Sequence, residues 1–423
     1  MTVVTTQSAV TIVASIAAGH EEDLQHLLDA AGQDPAKNTL IGFGQFHSVH
    51  FGRFFILPSA TDPQGRTYTA QLVFLADVDG PGDAFVMQLI GACGDGLHAL
   101  YQHCSGYPGR AGLQDYLCGH FVSAAASYVN TVGRTVNQVH QEAQLHDAIQ
   151  QFLYDRQHAF RGADPRRVRV AVQEFVEREP SLAWARQPAA QPDVVYILGE
   201  KLQFALVGIA GIVLFPLILL GLPFYLTLLR WHETHDVARD VIPDDALIQK
   251  LAAQEDHGVQ NPFTSAGFLK AGPFRKITGS VVLWGTNFLA RHLFNRGNLI
   301  GVKTIHFARW VFLDERRRLF FASNYDGSLE NYMDDFIDKI AWGLNIVFSN
   351  GVDYPETRFL ILDGARNEQV FKRFNLTHQL VTPFWYAAYQ GLTALNIANN
   401  AQIRAGLYGA MDDAATRAWL SRL

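Results

Sequence analysis

Two histidine–arginine pairs and two Asp-Gly steps are the residues in this chain whose types could do chemistry. His50 and Arg53 recur as His306 and Arg309, and Asp79-Gly80 recurs as Asp326-Gly327. Histidine can ligate a metal or move a proton near neutrality. Arginine holds its charge at any working pH and offers a planar fork of donors that suits a carboxylate or phosphate. Each His and Arg stand three apart in an aromatic, β-branched run, so strand alternation predicts that the two side chains of a pair point to opposite faces. The plain structural alternative pairs each Arg with the Asp of the neighbouring strand end and makes each His a satisfied core residue. For the two Asp residues, the corresponding alternative is the N-cap of the helix that follows. His378 stands just before the last predicted strand, with His306 the other histidine of note in the second half; the plain reading of His378 is a surface or capping histidine. His103 and His140 rank behind both. No HExxH, Gly-rich phosphate loop, GxSxG elbow or carboxylate cluster with metal spacing occurs, which argues against hydrolases and nucleotide enzymes.

The elements that must position these residues occur twice. Ser48-Val-His-Phe-Gly-Arg-Phe-Phe-Ile-Leu57 lines up with Thr304-Ile-His-Phe-Ala-Arg-Trp-Val-Phe-Leu313, and Leu72 to Pro108 aligns without a gap onto Leu319 to Pro355. Ile16 to His20 parallels Leu269 to Pro273, Leu40-Ile-Gly42 parallels Leu299-Ile-Gly301, and Phe121 to Ala125 parallels Phe384 to Ala388. Such a register marks an internal duplication. Each copy reads strand (9–17; 262–270), helix (20–32; 273–295), strand (46–57; 302–313), strand (67–77; 317–324), helix (82–104; 328–347) and strand (119–126; 380–388), followed by a helix at 135–155 and 392–407. That order is the ferredoxin-like βαββαβ unit. The predicted organisation is a first repeat plus helix over 1–155, a linker over 156–250 and a second repeat plus helix over 251–423.

Composition bounds the function. The 423 residues are 48% hydrophobic and only 17% charged, where charged residues make up about a quarter of a typical soluble domain. A net charge of −6 without a Lys/Arg block gives a nucleic-acid partner no electrostatic footprint. Three cysteines without a CxxC pair fit a reducing compartment, and the amino terminus lacks the basic region of a signal peptide. Leu202 to Leu229 carries no charge, where about 20 apolar residues suffice to cross the hydrocarbon core. Pro216 and the Gly221-Leu222-Pro223 step would kink a helix there. Two repeats that meet must lie on one side of a bilayer, which favours a re-entrant or in-plane hairpin over a single span. A crossing helix would instead force the repeats to pair between chains, as an oligomer.

A strand ending in Ala-Gly, a polar helix start and an aromatic strand pair resemble the dimeric α/β-barrel superfamily, in which two ferredoxin-like units pack sheet against sheet. His306-Phe-Ala-Arg309, Ser323-Asn-Tyr-Asp-Gly-Ser328 and Pro383-Phe-Trp-Tyr-Ala-Ala-Tyr389 also resemble the runs of a bacterial membrane-associated family that brings no known activity. The implied fold is α+β: two tandem ferredoxin-like repeats pairing as an α/β barrel with an inserted membrane segment. The superfamily includes dye-decolorizing peroxidases, whose Gly-x-x-Asp-Gly motif acts on peroxide at a haem; here Ala76 and Ser323 replace its leading glycine. The resemblance implies a membrane-associated, peroxidase- or monooxygenase-like oxidoreductase with Asp326, Arg309 and His306 at the pocket and His378 as haem ligand. His50, Arg53 and Asp79 would form a secondary pseudo-site, and the substrate would be a hydrophobic, lipid-derived molecule handled on the cytoplasmic side. The competing expectation is a non-catalytic membrane-bound barrel that binds a lipid or a partner protein.

Overall fold

The computed structural model describes residues 6–189, 192–236 and 242–423, a mixed α+β architecture of antiparallel sheets and one long apolar helix. The first half runs β1 (Gln7–Ser15), α1 (Glu21–Gly32), β2 (Val49–Leu57), β3 (Gln71–Asp79), α2 (Gly82–Tyr101) and β4 (Ala126–Val129). Helices α3 (Val136–Asp155), α4 (Pro165–Arg178) and α5 (Val194–His235) follow. The second half repeats the order with β5 (Gln260–Phe268), α6 (Pro273–His292), β6 (Ile305–Leu313), β7 (Arg318–Asp326), α7 (Leu329–Phe348), α8 (Glu368–His378) and β8 (Phe384–Ala387). The chain closes with α9 (Ala394–Ala405) and α10 (Asp413–Leu420).

Two four-stranded sheets result, in the orders β1-β3-β2-β8 and β4-β6-β7-β5. The final strand of each half therefore pairs in the sheet of the other half. It gets there by crossing: Val122 donates to the Thr11 carbonyl at 3.0 Å beside β1, after which the chain continues as β4 against β6. Leu380 likewise donates to the Thr264 carbonyl at 2.8 Å beside β5 before β8 joins β2. This crossing is why the strands expected at 119–126 and 380–388 shrink to four residues displaced toward their carboxyl ends. The other strand and helix boundaries fall within a few residues of expectation.

The central strands are buried nearly throughout because both faces are covered, as their continuous apolar runs suggest. One face of each sheet meets the other sheet, with Phe55, Val73 and Leu75 against Val311, Leu313 and Phe320. The outer face of the first sheet carries α1 and α2, and that of the second carries α6 and α7. The linker contributes more than an apolar segment, since α4 packs with α3, α9 and α10 around Leu145, Val172 and Trp419.

Helix α5 is continuous over 42 residues, exposed along its apolar stretch, and long and apolar enough to cross a membrane. The hairpin favoured by the sequence is thus replaced by one helix: Pro216 and Pro223 lie inside it, with the Thr227 hydroxyl donating to the Pro223 carbonyl at 2.8 Å. Both of its ends touch the same body. Near the start, Arg291 Nε donates to Glu200 at 2.7 Å and Phe204 stacks on Phe288. Near the end, Tyr225 and His232 pack on Phe274. The buried Glu233 carboxylate accepts from the Thr357 hydroxyl and from the Phe359 and Leu360 amides at 2.9–3.0 Å. Glu233→Ala would strand those donors at a cost of about 2–3 kcal/mol, so thermal denaturation in mild detergent should show a melting point several degrees lower. Glu233→Gln, which keeps one acceptor oxygen, should fall between; an unchanged melting point for the alanine variant would mean that this carboxylate does not anchor α5.

Candidate functional site

One extra residue in each central strand sets the geometry of the predicted site. Val49 pairs with Val78 and Phe51 with Asp77, so His50 is a bulge; Ile305 pairs with Tyr325 and Phe307 with Asn324, so His306 is its counterpart. A bulge resets strand alternation. The expectation that His and Arg of each pair face opposite ways is therefore wrong, and both turn toward the space between the sheets.

His50 Nε2 lies 3.0 Å from Asp79 and its Nδ1 lies 2.8 Å from the Tyr389 hydroxyl. His306 Nε2 lies 2.7 Å from Asp326. The second carboxylate oxygen of each Asp accepts a helix-start amide, Val136 of α3 at 2.9 Å and Ala394 of α9 at 2.7 Å. Thr135 and Thr393 cap the same two helices through their hydroxyls. The Asp residues do cap helices, as the plain alternative held, but helices remote in sequence rather than the ones that follow them. His50 thus meets a partner at each ring nitrogen and His306 at Nε2, and the crevice beside His50, His306 and Tyr389 holds only about 30 Å³.

The arginines cross between sheets. Arg309 donates to the carbonyls of Val10 and Ala76, to the Thr11 hydroxyl and to the Asp77 carboxylate. Arg53 makes the equivalent set to the carbonyls of Phe263 and Ser323, to Thr264 and to the Asn324 side-chain oxygen. The expected pairing of each Arg with the neighbouring strand end gives way to this reciprocal clasp. Asp77 and Asn324 occupy equivalent places, so the clasp holds two guanidinium groups and one carboxylate. Burial lowers Arg53 to about 9, opposed by Asp77 and reinforced by Arg309, and it stays protonated at neutral pH. No open volume remains around these groups.

His378 stands elsewhere, on the outer face of the second sheet. It lines a cavity of about 330 Å³ between that sheet and helices α6, α7 and α8. Phe263, Ser265 and Gly267 of β5 face this cavity, whereas the intervening Thr264 faces Arg53. The sheet therefore separates His378 from Asp326, Arg309 and His306, and the four do not form one site. The imidazole packs where a side chain on Gly267 would clash, and its Nδ1 lies 2.8 Å from the Phe374 carbonyl. A carbonyl only accepts, so Nδ1 carries the proton and Nε2 is the lone-pair atom. Burial lowers the His378 pKa, which favours this neutral form.

Haem does not fit these surroundings. Its propionates need cationic partners when buried, and among the described residues no Arg or Lys lines the cavity; the arginine and aspartate expected to act on peroxide lie behind the sheet in a filled space. The cavity itself had no sequence signal. Trp310 of β6 lines it together with Gly285 and Trp342. No family model, curated protein or solved structure matches the chain.

Two measurements probe this polar interior. Arg309→Met takes from the buried Asp77 its cationic partner and leaves it Asn324 Nδ2 at 3.3 Å across the sheets, a loss of about 3–5 kcal/mol, while Arg53→Met removes the surplus cation and should cost less; urea unfolding should rank the variants in that order. Stability should also fall as pH rises above about 10, the ordinary tyrosine value. Burial pushes Tyr128, Tyr325, Tyr332, Tyr354 and Tyr389 well above it, so the unfolded chain releases protons there that the fold retains. Arg53 acts the other way, gaining stability as pH rises from about 9 toward its ordinary, higher value, and burial lowers Arg134, Arg169 and Lys270 in the same sense, but Tyr101 and Tyr116 add to the tyrosine side. A melting temperature that holds from pH 9 to 11.5 would contradict this balance.

Proposed function

We propose that the protein works at a membrane surface and binds the apolar chain of a lipid, or a lipid-derived molecule, in the cavity beneath α6 and α7. The observation that carries this reading is the cavity itself. About 330 Å³ lies within the range of small-molecule sites, and its walls are aliphatic and aromatic with few polar groups, among them Ser265, Thr286, Asn375 and His378. His378 Nε2 is suited to accept a hydrogen bond from a hydroxyl or a protonated carboxyl head. Val281, Leu289 and Trp342 both line the cavity and reach the surface, at 61%, 40% and 41% exposure.

The mouth sits on apolar ground. Ile277, Val281 and Trp284 form an exposed stripe along α6, and α5 touches that helix at both of its ends. A patch of this kind marks a membrane or partner site. Helix α5 is apolar on every side along its charge-free stretch, which suits the hydrocarbon core better than the interface, so insertion of α5 into the membrane beside α6 is part of the proposal. Three free cysteines suit the cytoplasmic side. The fold that supports this site is read as two ferredoxin-like units of one duplicated plan, joined through their crossing last strands as an α/β barrel.

The test uses the full chain purified in mild detergent. Extraction and mass spectrometry should recover an acyl lipid, and a fluorescent fatty acid should bind and be displaced by it. Gly285 borders the cavity with open space where its side chain would begin, so Gly285→Leu should fill the pocket without a clash and gain about 0.8–1.0 kcal/mol of helix propensity. Binding should weaken at least tenfold while the melting point holds or rises. Equal binding by the wild type and this variant would remove the proposal.

A further inference from the structure

Away from the cavity, three potential metal ligands meet at the edge of the first half. His20 precedes α1, Asp23 lies in the first turn of that helix, and His103 follows α2. The backbone fixes this meeting. Ala17 donates to the His103 carbonyl at 2.9 Å, Ser105 donates to the Ser15 carbonyl at 2.8 Å, and His20 donates to the Ala17 carbonyl at 3.1 Å. Gly19, at φ +82, turns the chain so that His20 comes back over His103. The two Nδ1 atoms lie 3.0 Å apart with the rings edge to face. One ligand atom from each of the three residues falls within 4.8 Å of the others.

We propose that His20, Asp23 and His103 bind a divalent first-row transition ion, with water completing the coordination. Two nitrogens on one tetrahedral ion, each about 2.0–2.1 Å from it, sit roughly 3.3 Å apart, close to the observed separation. Imidazole with carboxylate is the donor set such ions take. The duplication supplies an independent argument. The equivalent positions in the second half are Pro273, Lys276 and Asn350, on a backbone held the same way, with Lys270 donating to the Asn350 carbonyl at 2.8 Å. The scaffold therefore does not require this trio, and its ligating character is particular to the first half. His20 and Asp23 are exposed, which leaves one side of the ion open to solvent and to an exchangeable ligand.

Zinc is the probe. Chelator-stripped full-length protein in mild detergent should take up one equivalent of Zn²⁺ in a calorimetric titration and should melt at a higher temperature with zinc than without. The double variant His20→Ala/His103→Ala should lose that equivalent and the thermal shift, while melting like the wild type in the absence of metal. Asp23→Asn should weaken binding about tenfold or more, since it removes the anionic ligand. His26→Ala, one turn further along α1, should change nothing. Absence of binding to the wild type, or the same equivalent retained by the double variant, overturns the proposal, and neither outcome bears on lipid binding in the cavity.

Discussion

The clasp formed by Arg53 and Arg309 between the two sheets is the constraint on which the rest of the structure depends. Each guanidinium reaches from a central strand of one sheet to two backbone carbonyls, a hydroxyl and a side-chain oxygen of the other. A charge buried among apolar side chains is costly unless it is met by hydrogen bonds on every side. That condition is satisfied only when both sheets sit in one relative placement. Apolar packing of Phe55 against Phe320 would tolerate some sliding; a planar fork with four acceptors tolerates little. With the sheets fixed in this way, the outer helices are fixed too, and the cavity beneath α6 and α7 acquires a defined floor.

The bulges at His50 and His306 make the clasp compatible with the histidine–aspartate pairs. Without the extra residue, alternation would place His and Arg on opposite faces, and one member would be driven into the apolar layer beneath the helices. With it, the polar groups collect between the sheets, where Asp79 and Asp326 link each histidine to the start of a distant helix. Polar chemistry is thereby confined to one side of the second sheet, and the other side is left almost wholly apolar. The division explains why Asp326, Arg309 and His306, which looked catalytic in sequence, are held in structural pairs, while the largely apolar space has room for a ligand.

How much of this was legible in the sequence follows the range of the forces involved. The order of elements and most of their boundaries were readable because periodicity and turn residues act locally. The shared order of elements in the two halves was readable because paired segments keep their register over Leu72 to Pro108 and Leu319 to Pro355. The bulges were not readable: a single inserted residue leaves the hydrophobic pattern of a strand buried on both faces unchanged. Nor was the crossing of the last strands, since Phe121 and Leu380 are equally apolar whichever sheet they join. The continuous course of α5 was obscured by two prolines that would ordinarily break a helix. Their missing amides cost least where no neighbouring element packs closely against the helix and the chain can bend.

The cavity shows where the two halves have parted. In the first half, Phe43 stacks among Phe54, Phe74, Phe384 and Tyr386, and a side chain on Gly52 would strike its ring. The aligned residue in the second half is Val302, with Ala308 at the position of Gly52. The 12-residue α1 is replaced by the 20-residue α6, which with α7 and α8 covers the outer face of the second sheet. Gly285 and Gly343 on the two helices lining this space add no side chain that would close it. The first sheet packs on a filled aromatic core, and the second borders an open apolar chamber. A cavity lined by aliphatic and aromatic side chains forgoes dispersion contacts along its surface, and under the proposed function an apolar chain in the chamber would supply them.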